Sequence, residues 1–159
     1  MSSPTLIAQK LTLGIVVTAC CFVLTGCIYD VPITAKATRK VDTRLLGNWA
    51  SKDGKDKMKV VKLDDSNYIV YSNGNLYRAW HSDLAGTPMV SVQILDSEKP
   101  QYAYWTWKLS DDGVLIVRNV NDKVVPDDTK DSTSVQKLLN ENLKNPALFE
   151  GEMELTKDK

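Results

Sequence analysis

Hydrophobic and polar positions divide the chain into three stretches. Leu11 to Leu24 is an apolar run, and no charged residue occurs between Leu11 and Ile28. Ile28 to about Thr43 has no clear periodicity. It contains Pro32 and the polar run Thr34 to Lys40, the pattern of a tether. From Leu45 onward, short apolar or alternating segments are separated by turn residues. Leu46 to Trp49 opens the series and breaks at Lys52-Asp53-Gly54. Lys57 to Leu63 follows, then the turn Asp64 to Asn67, then Tyr68 to Tyr71. Asn73-Gly74 separates that segment from Leu76 to Trp80, and Asn-Gly between apolar runs is a strong hairpin signal. Thr87 to Leu95, Tyr102 to Leu109 and Val114 to Val120 continue the series, with a tight turn at Asp111-Asp112-Gly113. Glu152 to Thr156 closes it.

Only one segment changes period. Val135, Leu138, Leu139 and Leu143 recur at helical spacing, and Asn145-Pro146 ends the stripe. Thr133 and Gln136 have the spacing of a capping box. The expectation is a helix over about 133–144, docked on the sheet and plugging one end of a barrel. The fold class is then mainly β: an antiparallel meander forming a small barrel or a sandwich with one C-terminal helix. The divisions are 1–26, a segment distinct from the fold; 27–43, a tether; and 44–159, a single β-rich globular domain.

Composition adds little to that picture, but charge narrows the function. Hydrophobic residues make up 43% and charged residues 25%, ordinary for a folded domain. Setting aside residues 1–26 leaves 19 basic against 20 acidic side chains. No basic cluster stands out, which argues against nucleic acid as a partner and against a broad patch for anionic head groups.

Residues 1–26 have the order of an export signal: a polar start carrying Lys10, the apolar run, then small residues at Thr25 and Gly26. The alternative, an uncleaved membrane anchor, would need about 20 apolar residues, which Leu11 to Ile28 nearly supplies. Leu24-Thr25-Gly26-Cys27 resembles the lipobox of bacterial lipoproteins. That resemblance implies cleavage between Gly26 and Cys27, diacylglycerol on the Cys27 sulfur and attachment to a membrane. Two or three acyl chains hold firmly where one binds marginally. By the same resemblance, Ile28 rather than Asp after the lipidated Cys directs the protein to the periplasmic face of the outer membrane. Cys20 and Cys21 lie in the discarded segment, so the mature chain has no disulfide to rely on.

Gly47-Asn48-Trp49 on the first strand, an up-and-down series and a late helix resemble the lipocalin and calycin group. The resemblance implies that Trp49 closes the barrel and that Arg118, from a late strand, packs over its ring. The chain also looks like other small lipoproteins, a likeness that carries no activity.

Tyr102 to Trp107 is the most aromatic segment. Alternation puts Ala103, Trp105, Trp107 and Leu109 on one face, and Tyr102, Tyr104, Thr106 and Lys108 on the other. The functional reading is an aromatic-lined cavity for a small apolar ligand, with Trp80, Tyr102, Tyr104, Trp105 and Trp107 as candidates. The plain reading is core packing on one face and cross-strand pairs on the other. His81 is the only histidine and reads as a loop residue at a strand end. The pairs Asp64-Asp65, Asp111-Asp112 and Asp127-Asp128 sit in turns, where Asp bonds its own backbone. No phosphate loop, nucleophile elbow or Cys-x-x-Cys occurs, so the sequence points to no enzyme, no cofactor and no metal.

Two functions fit: a lipid-anchored barrel of the cell envelope that binds a small apolar ligand, or an envelope structural or interaction protein that docks on another envelope protein through an exposed sheet face. Both need the anchor. Mass spectrometry of the mature N-terminus is expected to find acylated Cys27 as the first residue, and Cys27→Ser is expected to abolish processing. An unmodified sulfur, or a start elsewhere, contradicts the anchor.

Overall fold

Strand alternation closes on itself here. The computed structural model describes residues 27–158. Eight strands follow in order: β1 (Gly47–Ala50), β2 (Lys57–Lys62), β3 (Tyr68–Ser72), β4 (Asn75–His81), β5 (Val90–Ile94), β6 (Gln101–Leu109), β7 (Leu115–Val120) and β8 (Phe149–Lys157). Each pairs antiparallel with the next, and β8 pairs with β1, giving a closed eight-stranded barrel. One helix, α1 (Ser132–Asn142), lies between β7 and β8. The expected small lipocalin-like barrel with a single helix is therefore the fold that forms, and not a sandwich. Closure removes the unpaired edges that an open meander would expose.

Local chemistry explains the turns. Asn73 and Gly74 both take positive φ, at 48° and 89°, as a two-residue turn joining β3 to β4 requires. In β8, Gly151 at φ 65° sits where the register to β7 slips between Val117 and Asn119, a bulge only a glycine fits readily.

Two cores form, one on each side of the barrel wall. Inside, Trp49, Met58, Val60, Tyr68, Val70, Tyr77, Val92, Trp105, Trp107, Val117 and Leu155 make one buried cluster. Outside, Tyr29, Ile33, Tyr104, Val120, Val135, Leu139 and Leu148 make the second.

That outer core corrects two expectations. The segment read as a tether is a strap fixed to the wall. Tyr29 and Ile33 are fully buried. Tyr29 bridges to Tyr102 through both backbone bonds, at 2.8 and 2.9 Å. Further along, Ile33 N–H donates to Ser91 Oγ (3.0 Å), Thr38 N–H to the His81 carbonyl (2.9 Å) and Val41 N–H to the Asp65 carbonyl (2.9 Å). The strap runs in this way along the outer wall from β6 toward the β2–β3 turn. The helix does not plug a barrel end. Its buried Val135 and Leu139 pack in the outer core, and Ser132 Oγ and Gln136 Nε2 donate to the Pro32 and Ile33 carbonyls of the strap (2.6 and 2.9 Å). Gln136 therefore does not close a capping box; Asp131 caps the helix by accepting from Ser134 N–H.

Residues 1–26, including Gly26 and the proposed cleavage signal, lie outside the described residues. Among the described residues, no helix is long and apolar enough to cross a membrane.

Candidate functional site

The five aromatic residues singled out from the sequence go to three different places. Trp105 and Trp107 face the barrel interior, at 1% and 2% exposed. Their rings meet neighbours edge-on: Trp105 with Tyr77 (5.6 Å between centroids), and Trp107 with Tyr68 (5.2 Å) and His81 (5.6 Å). Both rings are therefore enclosed from solvent and packed within the interior cluster, although neither indole N–H has a hydrogen-bond partner among the described residues. Tyr104 lies on the opposite face, under the strap. Its ring stacks on Tyr29 at 3.8 Å and its hydroxyl donates to the Val31 carbonyl (2.6 Å). Burial pushes both phenols well above their ordinary pKa, so they remain neutral donors.

Trp80 and Tyr102 remain together on the outer wall. Ala79 and His81 point inward on β4, so Trp80 and Arg78 point out. Trp80 and Tyr102 meet edge-on at 6.2 Å. The Trp80 indole N–H donates to the Thr34 carbonyl of the strap (2.9 Å), which fixes the ring. Arg78 lies over that ring at 5.4 Å from its centroid, a cation–π contact. With Gln93, these residues floor a groove of about 520 Å³, walled by Pro32, Ala35, Lys36 and Ala37 of the strap and by the corner Ser66-Asn67. Lys36 and Arg78 are the charged residues of the lining.

The pair Trp49 and Arg118, implied by the lipocalin resemblance, does not form. Trp49 is buried, and its N–H donates to the Leu45 carbonyl (2.9 Å). The cation over its ring is Lys157, at 5.4 Å. Leu115 and Val117 take the inward positions of β7, so Arg118 points out and pairs with Glu152. Cys27, at the head of the strap, is half-buried against the outer core. Burial first, then the neighbouring Asp122, push its thiol up to about 11. Among the described residues, no three His, Cys, Asp or Glu converge as metal ligands.

Sequence reasoning missed His81. It is the last residue of β4, points inward and is fully buried. Its Nε2 shares a hydrogen bond with the Tyr68 hydroxyl (2.7 Å), which accepts from Asp42 N–H (2.6 Å). The alternation of β4 was the available signal, since His81 lies two residues beyond Ala79. No known family model, curated protein or solved structure matches the chain.

Burial, and next Arg39, lower His81 to about 4, while Asp83 and Asp42 act in the opposite direction. The ordinary value is 6.5. The unfolded chain therefore takes up the proton first as pH falls. Stability is full above about 6.5 and is lost between there and about 4. The urea midpoint is expected to drop between pH 7.5 and 5 by the equivalent of about 2 kcal/mol, and His81→Gln is expected to remove most of that slope. Equal midpoints in the parent protein would contradict the assignment.

Proposed function

We propose that the protein is a lipid-anchored, non-enzymatic component of the cell envelope, held at a membrane by acyl chains on Cys27, that docks another envelope protein on its outer wall. The anchor rests on Leu24-Thr25-Gly26-Cys27 following an apolar run, and Ile28 favours the periplasmic face of the outer membrane. The docking half rests on one contrast. The rings that would line an internal ligand cavity, Trp105 and Trp107, are enclosed, whereas apolar side chains stand free outside.

Those side chains are contiguous. Tyr71 on β3 is the register partner of Leu76 on β4, and Leu95 N–H donates to the Leu76 carbonyl (3.1 Å), so the three lie side by side. They are 52%, 43% and 41% exposed. Lys59 on β2 is the register partner of Tyr71 and is exposed. Val61 and Ile69, also register partners, form the next row, which reaches Arg78. An apolar patch edged by Lys59 and Arg78 suits a partner with an apolar knob and an acidic rim.

Photo-crosslinking groups placed at Tyr71 and at Leu76 in cells are expected to give one adduct of the same mass, weakened by Lys59→Glu. A group at Glu141, exposed on α1, is expected to give none. Absence of an adduct at both wall positions, or the same adduct at Glu141, contradicts docking on this wall.

A further inference from the structure

We infer that the groove between the strap and β4–β6 is a binding site for a small oxyanion, a carboxylate or a phosphate, carried on a flat apolar body. Arg78 borders both this groove and the patch at Tyr71, but binding in the groove does not require a partner protein to dock on the patch.

The geometry has the marks of a built site. Arg78 is exposed yet not free to wander. Its Nε donates to Asn67 Oδ1 (3.0 Å). Asn67 is itself 9% exposed, and its amide donates to both carboxylate oxygens of Asp64 at 2.8 Å. Asp64 also accepts from the backbone N–H groups of Ser66 and Asn67, at 2.7 and 2.9 Å. The carboxylate is thus committed to the turn and to Asn67, and it holds the amide oxygen in place for the guanidinium. Beneath Arg78, Trp80 is fixed by its bond to the strap.

One edge of a guanidinium is thereby used and the other is left. Among the described residues, Arg78 forms no ion pair within contact distance and its Nη groups have no hydrogen-bond acceptor, although Asp64, behind Asn67, feels its charge. Lys36, on the strap wall, likewise forms no ion pair among the described residues, and no acidic residue lines the groove. Two cations without a lining acid favour an anion, and the planar fork of an arginine favours a planar or tetrahedral oxyanion over a halide. The half-buried ring of Tyr102, edge-on to Trp80, supplies an apolar surface beside the guanidinium. About 520 Å³ is ample for a single-ring molecule and falls within the range of small-ligand sites.

The test uses the full chain labelled with 15N, with benzoate, phenyl phosphate and neutral benzamide as probes. The indole N–H resonances separate the site from the core, because Trp80 lies in the groove whereas Trp49, Trp105 and Trp107 are enclosed. Benzoate or phenyl phosphate is expected to shift the Trp80 indole signal and the amides of residues 35–37 saturably, leaving the other three indoles in place. Which of the two binds tighter distinguishes carboxylate from phosphate. Benzamide is expected to bind more weakly by about tenfold, and Arg78→Gln to weaken the anion by about tenfold or more, the value of one charge-assisted bond. Unshifted core indoles in that variant certify the fold. Overturning results are no saturable shift with either anion, equal binding of benzamide, or unchanged affinity in Arg78→Gln with the fold intact.

Discussion

The structure depends on β6 being packed on both faces. In most antiparallel barrels one face of each strand meets solvent. Here Ala103, Trp105 and Trp107 fill the interior, while Tyr102 and Tyr104 meet the strap. The Tyr29–Tyr104 stack joins the barrel wall to a segment that has no regular structure of its own. Burial of two aromatic rings, at roughly 25 cal/mol per Å² of apolar surface, offsets part of the cost of ordering that segment, and Ile33 and the bonds to the wall and helix contribute the rest. Helix α1 then leans on the strap through Ser132 and Gln136, so strap, helix and wall form a single second core.

This arrangement bears on both functional proposals. A free tether would let the barrel swing away from a membrane. A fixed strap brings Cys27 against the wall, so acyl chains on its sulfur would set the barrel's orientation. The strap also makes the groove, since Pro32 and residues 35–37 supply one wall of it and Thr34 locks the Trp80 ring. The interior core supplies rigidity, and the features left for recognition lie on the outside: the patch at Tyr71, Leu76 and Leu95, and the charged groove next to it.

The barrel was legible in the sequence because its information is local. Alternation assigned the faces of β6 correctly, and Asn73-Gly74 marked the β3–β4 hairpin. The strap was not legible because its contacts are not periodic. It buries isolated residues, Tyr29 and Ile33, and its bonds reach Ser91, Ser132 and Gln136, up to 103 residues away. No window of neighbouring residues contains that pattern. Arg118 failed for a different reason: the family resemblance placed it over Trp49, while the alternation of Leu115 and Val117 had already turned it outward. Trp80 and Tyr102 were found as aromatic residues, but Arg78 and Lys36, which give the groove its charge, stand in ordinary exposed positions and carry no signal along the chain.

Amide hydrogen exchange at Tyr29 and Ile33 tests the central claim most directly. Both N–H groups are bonded to the wall, one to the Tyr102 carbonyl and one to Ser91 Oγ. If the strap is part of the fold, their protection approaches that of the β6 amides. Exchange at the rate of an unstructured chain, with β6 still protected, would show a tether beside an independent barrel and contradict the account.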